Sequence, residues 1–101
     1  MERRVYKSLD GVTRWFDESK AETFEEGRTW NGNNNISDAT GSQWDHEDLY
    51  RTRKGSWVLN HWSQMGSIGT WMEIEDNEAT QWLLKNGKEI PDALSVDDLE
   101  G

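Results

Sequence analysis

The chain has 101 residues, a net charge of −9 and no cysteine. A chain of this length forms one domain that buries a core without covalent staples, and the lack of cysteine excludes disulfides, thiolate nucleophiles and Cys-based zinc sites. The acidic charge repels phosphate backbones and favours solubility and basic partners.

Tryptophan is unusually abundant among the apolar residues. The hydrophobic fraction is only 33%, and it includes seven tryptophans. A covered aromatic ring buries on the order of 150–250 Å², so a few indoles replace many aliphatic side chains. We therefore expect tryptophan to be the main packing material, with some indoles half-exposed because so large a side chain is rarely fully buried.

The first predicted element is a hairpin. Residues 3–9 alternate with a period of two, which indicates a half-buried strand, and Asp10 followed by Gly11 favours a turn. Residues 12–16 are rich in β-formers and could return antiparallel. Residues 17–27 stay open between helix and strand; we favour a strand or extended chain, because Phe24 alone is a poor apolar face for a helix. Residues 31–42 are dense in turn formers and predict a loop.

A second hairpin follows. Residues 48–64 read DLYRTRKGSWVLNHWSQ, which predicts two strands around a charged turn that contains Gly55. A two-residue loop would place Tyr50 opposite Leu59, and a three-residue loop would place it opposite Val58, so the register stays open. Both faces keep apolar residues under either register, and we expect this hairpin to lie centrally and to be at least partly covered on both sides.

The hydrophobic period then changes from strand to helix. Residues 69–75 (GTWMEIE) predict a further strand, and residues 76–87 predict a helix that Asp76 caps and Gly87 ends. The predicted fold is α+β: an antiparallel β-sheet of four to five strands, arranged as a meander, with a C-terminal α-helix packed on one face. Residues 1–90 are predicted to form the single domain and residues 91–101 an acidic C-terminal tail.

The first candidate chemistry is a small nuclease. His46 and His61 could serve as general base and acid, with Tyr50 and nearby basic residues as a phosphate clamp. A three-residue loop would place Glu47 opposite His61 and His46 opposite Trp62, which brings the two imidazoles close on the sheet. The repulsive net charge argues against this alternative, and we expect no enzymatic activity.

Two candidate binding surfaces remain. The first is a basic and aromatic surface on and beside the second hairpin, formed by Arg51, Arg53, Lys54, Trp57, Trp62 and Trp71. Aromatic platforms beside cations hold single-stranded nucleic acid, which makes such binding through residues 50–62 a second alternative, although three basic residues neutralise few phosphates. The other is an acidic face formed by Glu25, Glu26, Asp45, Glu47 and Asp48.

Metal and cofactor chemistry has little support in the sequence. Residues 44–49 (WDHEDL) concentrate carboxylates around one histidine, but the supply of ligands is too small for a closed zinc site. We therefore expect no bound metal and no cofactor. Sugar binding through exposed tryptophan ranks low, because no export signal and no membrane span are evident, and we expect a cytoplasmic protein.

Two segments carry a resemblance to known proteins. The runs LYRTRKGSWVLNHWSQ and EATQWLLKNG resemble small uncharacterised bacterial proteins that share Leu-Tyr-Arg-Thr-x-x-Gly-x-Trp, then Ser-Gln, then Glu-Ala-x-x-Trp-Leu-x-x-Asn. The similar region covers residues 36–87. Such proteins tend to sit among mobile-element or accessory genes, so the resemblance implies an inhibitor, antitoxin-like or accessory (anti-defence) role and attaches no activity.

These observations lead to one functional expectation. We expect a small, acidic, non-enzymatic protein that binds another macromolecule, in the first place a protein and one with a basic surface. An acidic face that docks where a partner normally holds nucleic acid would act as a nucleic-acid mimic. The sequence leaves the oligomeric state open.

Overall fold

The computed structural model describes residues 2–66, 69–92 and 94. Its elements are β1 Arg3–Lys7, β2 Thr13–Asp17, a 3₁₀ turn Glu18–Lys20, β3 Glu22–Glu25, β4 Arg28–Trp30, β5 Asn35–Ser37, β6 Asp45–Arg51, β7 Trp57–Ser63, β8 Thr70–Ile74 and α1 Asp76–Lys85. Six strands form one sheet in the order β2-β1-β8-β7-β6-β3, and β4 pairs with β5 in a separate two-stranded sheet. The α+β class is therefore confirmed.

The predicted antiparallel meander of four to five strands needs correction. The main sheet has six strands, and it is mixed because β1 pairs in parallel with β8 through Lys7 and Met72. This pairing joins strands from opposite ends of the chain, which no local pattern indicates. In addition, β5 lies inside the stretch predicted to be a loop, where it pairs with β4. Residues 17–27 combine the short 3₁₀ turn with β3, so the strand that we favoured is present in their second half.

The main sheet curls into a half-barrel because its two edge strands are neighbours in sequence. A flat sheet of six strands would place β2 and β3 roughly 24 Å apart, at about 4.8 Å for each strand spacing. The chain from Asp17 to Glu22 spans at most roughly 18 Å at about 3.6 Å per residue. The connection is too short for a flat sheet, so the edges approach each other and one face becomes concave.

The central hairpin of β6 and β7 has the register of the three-residue loop. Tyr50 lies opposite Val58, and Leu49 lies opposite Leu59. The turn closes with a hydrogen bond from the Gly55 N–H to the Thr52 carbonyl oxygen, and Gly55 has a φ of 91°, a value that side chains disfavour. A left-handed glycine after a tight turn is typical of this loop length.

Each face of the central hairpin carries its own apolar cluster, so the expectation of a two-sided hairpin is confirmed. The first cluster, the helix-side core, consists of Ala39, Leu49, Trp57, Ile74, Ala79, Trp82 and Leu83. The other, the concave-side core, consists of Tyr6, Phe16, Tyr50 and Val58, with Trp71 packed against it. Successive strand residues point to opposite faces, which explains why adjacent residues such as Leu49 and Tyr50 belong to different clusters.

Helix α1 packs on one face of the sheet, as predicted, but its start differs by one residue. The N-cap is Glu75, whose N–H donates to the Glu78 carboxylate at 3.2 Å, and Asp76 is the first helical residue. Helix α1 ends in a Schellman motif: the Lys88 N–H donates to the Leu83 carbonyl oxygen, and Gly87 has a φ of 68°.

The expected role of tryptophan is confirmed for part of the set. Trp57 and Trp82 are buried, and Trp62 and Trp71 are half-buried. Trp15, Trp30 and Trp44 are exposed. Most of the predicted acidic tail, residues 93 and 95–101, lies outside the described residues, whereas Ile90 and Leu94 pack against the helix-side core.

Candidate functional site

The centre of the candidate site is the carboxylate of Glu26, which is buried just after β3 ends. It accepts hydrogen bonds from the Ser37 hydroxyl at 2.8 Å, from the backbone N–H of Glu47 at 2.8 Å and from Arg28 Nε at 3.2 Å, and it contacts His46 Nδ1 at 2.5 Å. The Glu47 N–H is the donor next in line on β6 once β3 stops pairing. The Glu26 carboxylate thus accepts a hydrogen bond from β6 where the backbone pairing with β3 has ended, and it connects β6 to the small hairpin of β4 and β5.

The charge of Glu26 is maintained despite its burial. Burial raises the pKa of the Glu26 carboxyl, but the hydrogen bonds from Glu47, His46, Ser37 and Arg28 together outweigh burial and hold that pKa below its ordinary value. The carboxylate is therefore ionised at neutral pH. Because its acceptor capacity is used internally, Glu26 organises the site and is not itself a free surface acid.

Gly27 lies in a narrow space between the small hairpin and the end of α1. Its N–H donates to Asn86 Oδ1 at 2.9 Å, and its carbonyl oxygen accepts from the Asp38 N–H at 2.8 Å. A Cβ atom at this position would lie 2.5 Å from Asp38 Oδ2 and 2.8 Å from the Asn86 carbonyl oxygen. Only glycine fits here without a shift of backbone, which fixes the position of Glu26 beside it.

Next to Glu26 lies a groove of about 390 Å³ lined by Glu25, Glu26, Arg28, Asp48 and Trp62. Glu25 and Asp48 are directly opposite each other on β3 and β6, so both carboxylates project from the concave face. Trp62 lies one strand further, where its ring packs against His46 in a tilted arrangement with 4.6 Å between the ring centroids. We call this concavity the acidic groove.

The acidic groove contains more negative than positive charge. Burial raises the pKa of the Asp48 carboxyl, and the negative charges of Glu26 and Glu25 raise it further, although the nearby Trp62 indole lowers it in part. The one cation of the lining, Arg28, is already engaged with Glu26. Among the described residues, neither Glu25 nor Asp48 forms a salt bridge.

The two histidines of the nuclease alternative do not come together. The predicted pairings of Glu47 with His61 and of His46 with Trp62 are both present. Because consecutive pairs alternate between faces, His46 projects from the concave face and His61 from the helix side. His46 is buried, and its Nε2 has no hydrogen-bond partner among the described residues.

His61 belongs to a separate polar chain on the helix side. Its Nδ1 lies 3.2 Å from one carboxylate oxygen of Glu47, and the Trp82 indole N–H donates to the other at 3.1 Å. Tyr50 does not act with either histidine: burial and the neighbouring Glu18 carboxylate raise the pKa of its phenol well above the ordinary value. The three predicted catalytic residues thus have separate partners.

The predicted basic and aromatic surface is divided among different parts of the fold. Arg53 and Lys54 are exposed at the hairpin tip, beside a wide depression of about 530 Å³ near the start of α1. Trp57 is buried in the helix-side core beneath the Arg51 guanidinium, 5.4 Å from its ring. Trp62 and Trp71 lie on the opposite, concave face. A continuous stacking platform for single-stranded nucleic acid is not assembled by these residues.

The predicted acidic face is likewise divided. Glu25 and Asp48 lie in the acidic groove, and Glu26 anchors it from below. Asp45 and Glu47 alternate with Asp48 along β6 and therefore belong to the helix side. The sequence did not indicate that Arg28 and Ser37 belong to the site. The available signal was that Arg28 is the one lysine or arginine in the acidic stretch of residues 21–50.

Two further properties concern cofactors and membranes. Within residues 2–66, 69–92 and 94, no group of three or more His, Cys, Asp or Glu side chains is arranged to hold a metal ion. In the same part of the chain, no helix has the length and apolarity needed to cross a membrane.

Comparison of the chain with protein-family models, with curated proteins and with solved structures found no match.

Proposed function

We propose that this protein is a non-enzymatic binding module that docks on a basic surface of another macromolecule, a protein in the first place, through the acidic groove. The observation that carries the proposal is the pair of carboxylates Glu25 and Asp48, which share a concavity with Trp62 and form no salt bridge within the described part of the chain. A lysine or arginine side chain of a partner would supply the missing charge and rest against the indole face.

The electrostatics of the groove support a cationic partner. The raised pKa of Asp48 means that its negative charge is unfavourable in the free protein. Burial is the first cause of this shift and the charges of Glu26 and Glu25 add to it, so a cation placed between Asp48 and Glu25 would offset their mutual repulsion. The net charge of −9 would steer a basic partner toward the molecule.

A nucleic-acid ligand is disfavoured by the same charges. Phosphates would meet the repelling carboxylates in the groove, and the basic hairpin tip offers only Arg53 and Lys54 at full exposure. A protein whose own ligand is nucleic acid is a suitable partner, because the acidic groove then occupies a surface built for phosphates. This partner class fits the inhibitor, antitoxin-like or anti-defence role that the sequence resemblance implies.

The proposal is tested with a defined probe. A fluorescent peptide of alternating arginine and serine is titrated with the protein, beside a matched peptide in which glutamine replaces arginine. We expect binding of the arginine peptide alone and a loss of affinity at high salt, because exposed charges are screened. The double variant Glu25→Gln/Asp48→Asn should weaken binding by about tenfold or more, equivalent to about 1.4 kcal/mol.

The matched control is Glu89→Gln/Asp92→Asn, which removes the same number of charges at exposed positions that flank Ile90. This control should bind the arginine peptide as the parent does. Equal weakening in both double variants would mean that net charge alone governs binding, and the acidic groove would then be rejected as the site.

A further inference from the structure

An exposed apolar pair lies on β1 and the edge strand β2. Val5 and Trp15 are opposite each other on β1 and β2, and their side chains remain 57% and 52% exposed. They lie on the convex face, the side opposite the concave-side core, together with Lys7 and its partner Met72. Among the described residues, the buried members of the helix-side core include none from β1 or β2. The Arg3 guanidinium lies 4.9 Å from the Trp15 ring centroid. This apolar pair is continuous with an edge strand, which is the usual arrangement of a sheet that extends across an interface.

The backbone groups that β2 offers can be assigned. The ladder between β1 and β2 is flanked by hydrogen bonds from the Glu18 N–H to the Glu2 oxygen and from the Ser8 N–H to the Val12 oxygen. Hydrogen-bonded pairs alternate along an antiparallel ladder, so residues 14 and 16 also face β1. Thr13, Trp15 and Asp17 therefore direct their N–H and C=O groups outward, away from the sheet.

We propose that β2 pairs with β2 of a second copy of this chain, antiparallel and centred on Trp15. In that register Trp15 lies opposite its counterpart, and Thr13 lies opposite Asp17 of the second copy, so every outward backbone group finds a partner. The two half-barrels then form one continuous sheet, and the two indoles pack together on its convex face. The strand TRWFD has no proline and keeps a continuous register with β1, so it carries neither of these devices that block edge pairing.

The charge distribution selects a second copy as the occupant. Residues 1–20 hold five basic and four acidic side chains, whereas the whole chain holds 11 basic and 20 acidic ones. Two copies of a strongly acidic protein repel each other over most of their surface, and the β1–β2 hairpin is a near-neutral region through which they can approach. An interface built on one five-residue strand is small, so the dimer should be weak and concentration-dependent.

The test combines association with amide exchange. Sedimentation velocity from about 1 µM to about 1 mM, the range in which weak association is visible, should show a sedimentation coefficient that rises with concentration. Hydrogen exchange of the Thr13 and Trp15 amides should slow as concentration rises, whereas the Arg14 and Phe16 amides, already bonded to β1, should not change. Trp15→Lys should remain monomeric throughout. Trp30→Lys alters another exposed tryptophan, on β4, and should associate like the parent.

Three results would overturn the proposal. One is a monomer at every concentration. Another is association that leaves the exchange of the Thr13 and Trp15 amides unchanged, a readout that does not depend on how well any variant folds. The third is association abolished by Trp30→Lys and retained by Trp15→Lys.

Discussion

Phe16 and Tyr50 lie in contact, with 5.8 Å between their ring centroids, although three strands separate β2 from β6 in the sheet. This contact exists because the sheet curls, and it brings the Glu18 carboxylate near the Tyr50 phenol, whose pKa is raised by burial and by that negative charge. The concave face is thus closed at its aromatic end by Phe16 and Tyr50, and it remains open at the polar end, where Asp48 and Trp62 line the acidic groove.

Phe16 should therefore be essential to the curl. Phe16→Ala removes a buried ring that contacts Tyr6, Tyr50 and Trp71, and we expect it to lower the free energy of unfolding by about 3 kcal/mol. Urea unfolding followed by tryptophan fluorescence measures this change. The neighbouring Trp15→Ala is the control: its side chain points outward, and at low protein concentration its cost should stay below about 1 kcal/mol. Equal costs for the two variants would contradict the curl as the source of stability.

Glu26 should matter more for stability than Glu25, which is adjacent in sequence but exposed. Glu26→Ala leaves Ser37, His46 and the Glu47 N–H without their shared acceptor, and we expect a loss of about 3 kcal/mol of unfolding free energy. Glu25→Ala should change stability by less than about 0.5 kcal/mol. Similar effects at the two positions would show that Glu26 does not organise the site.

The contribution of Glu26 should also depend on pH in a defined direction. Its folded-state pKa lies below the ordinary value, so its stabilisation is present above the ordinary carboxyl range, near about pH 4.3, and disappears as pH falls through the folded pKa. The difference in unfolding free energy between the parent and Glu26→Gln should shrink as pH is lowered through this window. A difference that grows on acidification would have the wrong sign for a carboxylate stabilised by hydrogen bonds.

Asp48 should behave in the opposite way, because its pKa is raised by burial and by nearby negative charge. The charged form is unfavourable in the folded state, so Asp48→Asn should raise the thermal midpoint at neutral pH while it weakens binding of the arginine peptide. The control Glu89→Gln should leave the midpoint unchanged. A lower midpoint for Asp48→Asn would indicate that the carboxylate has a structural role.

Gly27 provides a steric test of how the site is held. Gly27→Ala places a methyl group against Asp38 and the Asn86 carbonyl oxygen, and we expect a loss of about 2 kcal/mol from the forced shift. Gly69→Ala is the matched control, because its added Cβ would meet its nearest neighbour at 3.4 Å, with no left-handed φ to violate. Thermal unfolding of both variants measures the difference. An unchanged thermal midpoint for Gly27→Ala would mean that the space around Gly27 accommodates a methyl group.

Local patterns were sufficient for the elements whose determinants are local. The period-two run in residues 3–9, the glycine of the β6–β7 turn and the change of period at residue 76 correctly predicted β1, the central hairpin and α1. The parallel pairing of β1 with β8 could not be predicted in this way, because it depends on the fit of distant segments. Strand β5 was missed because Asn35–Ser37 is short and surrounded by turn formers.

The site was predicted only in part for a similar reason. The sequence identified Glu25, Glu26 and Asp48 as acids of one face, but period-two alternation sends Glu47 and Asp48 to opposite sides of the sheet. The same alternation separates His46 from His61. Glu26 was assigned to the surface because its donors, Ser37 and Arg28, come from a hairpin whose position relative to β6 has no local signature.

The most direct measurement of the acidic groove uses the indole N–H of Trp62, because Trp62 and Asp48 line the groove together. Its ¹⁵N–¹H resonance, assigned with Trp62→Phe, is followed while the arginine peptide is added. We expect this resonance to shift in a saturable, salt-sensitive manner, while the indole of Trp82, bonded to Glu47 on the helix side, stays in place. A Trp62 resonance that does not move when the peptide binds, or a shift of equal size at Trp82, would contradict the groove as the binding site.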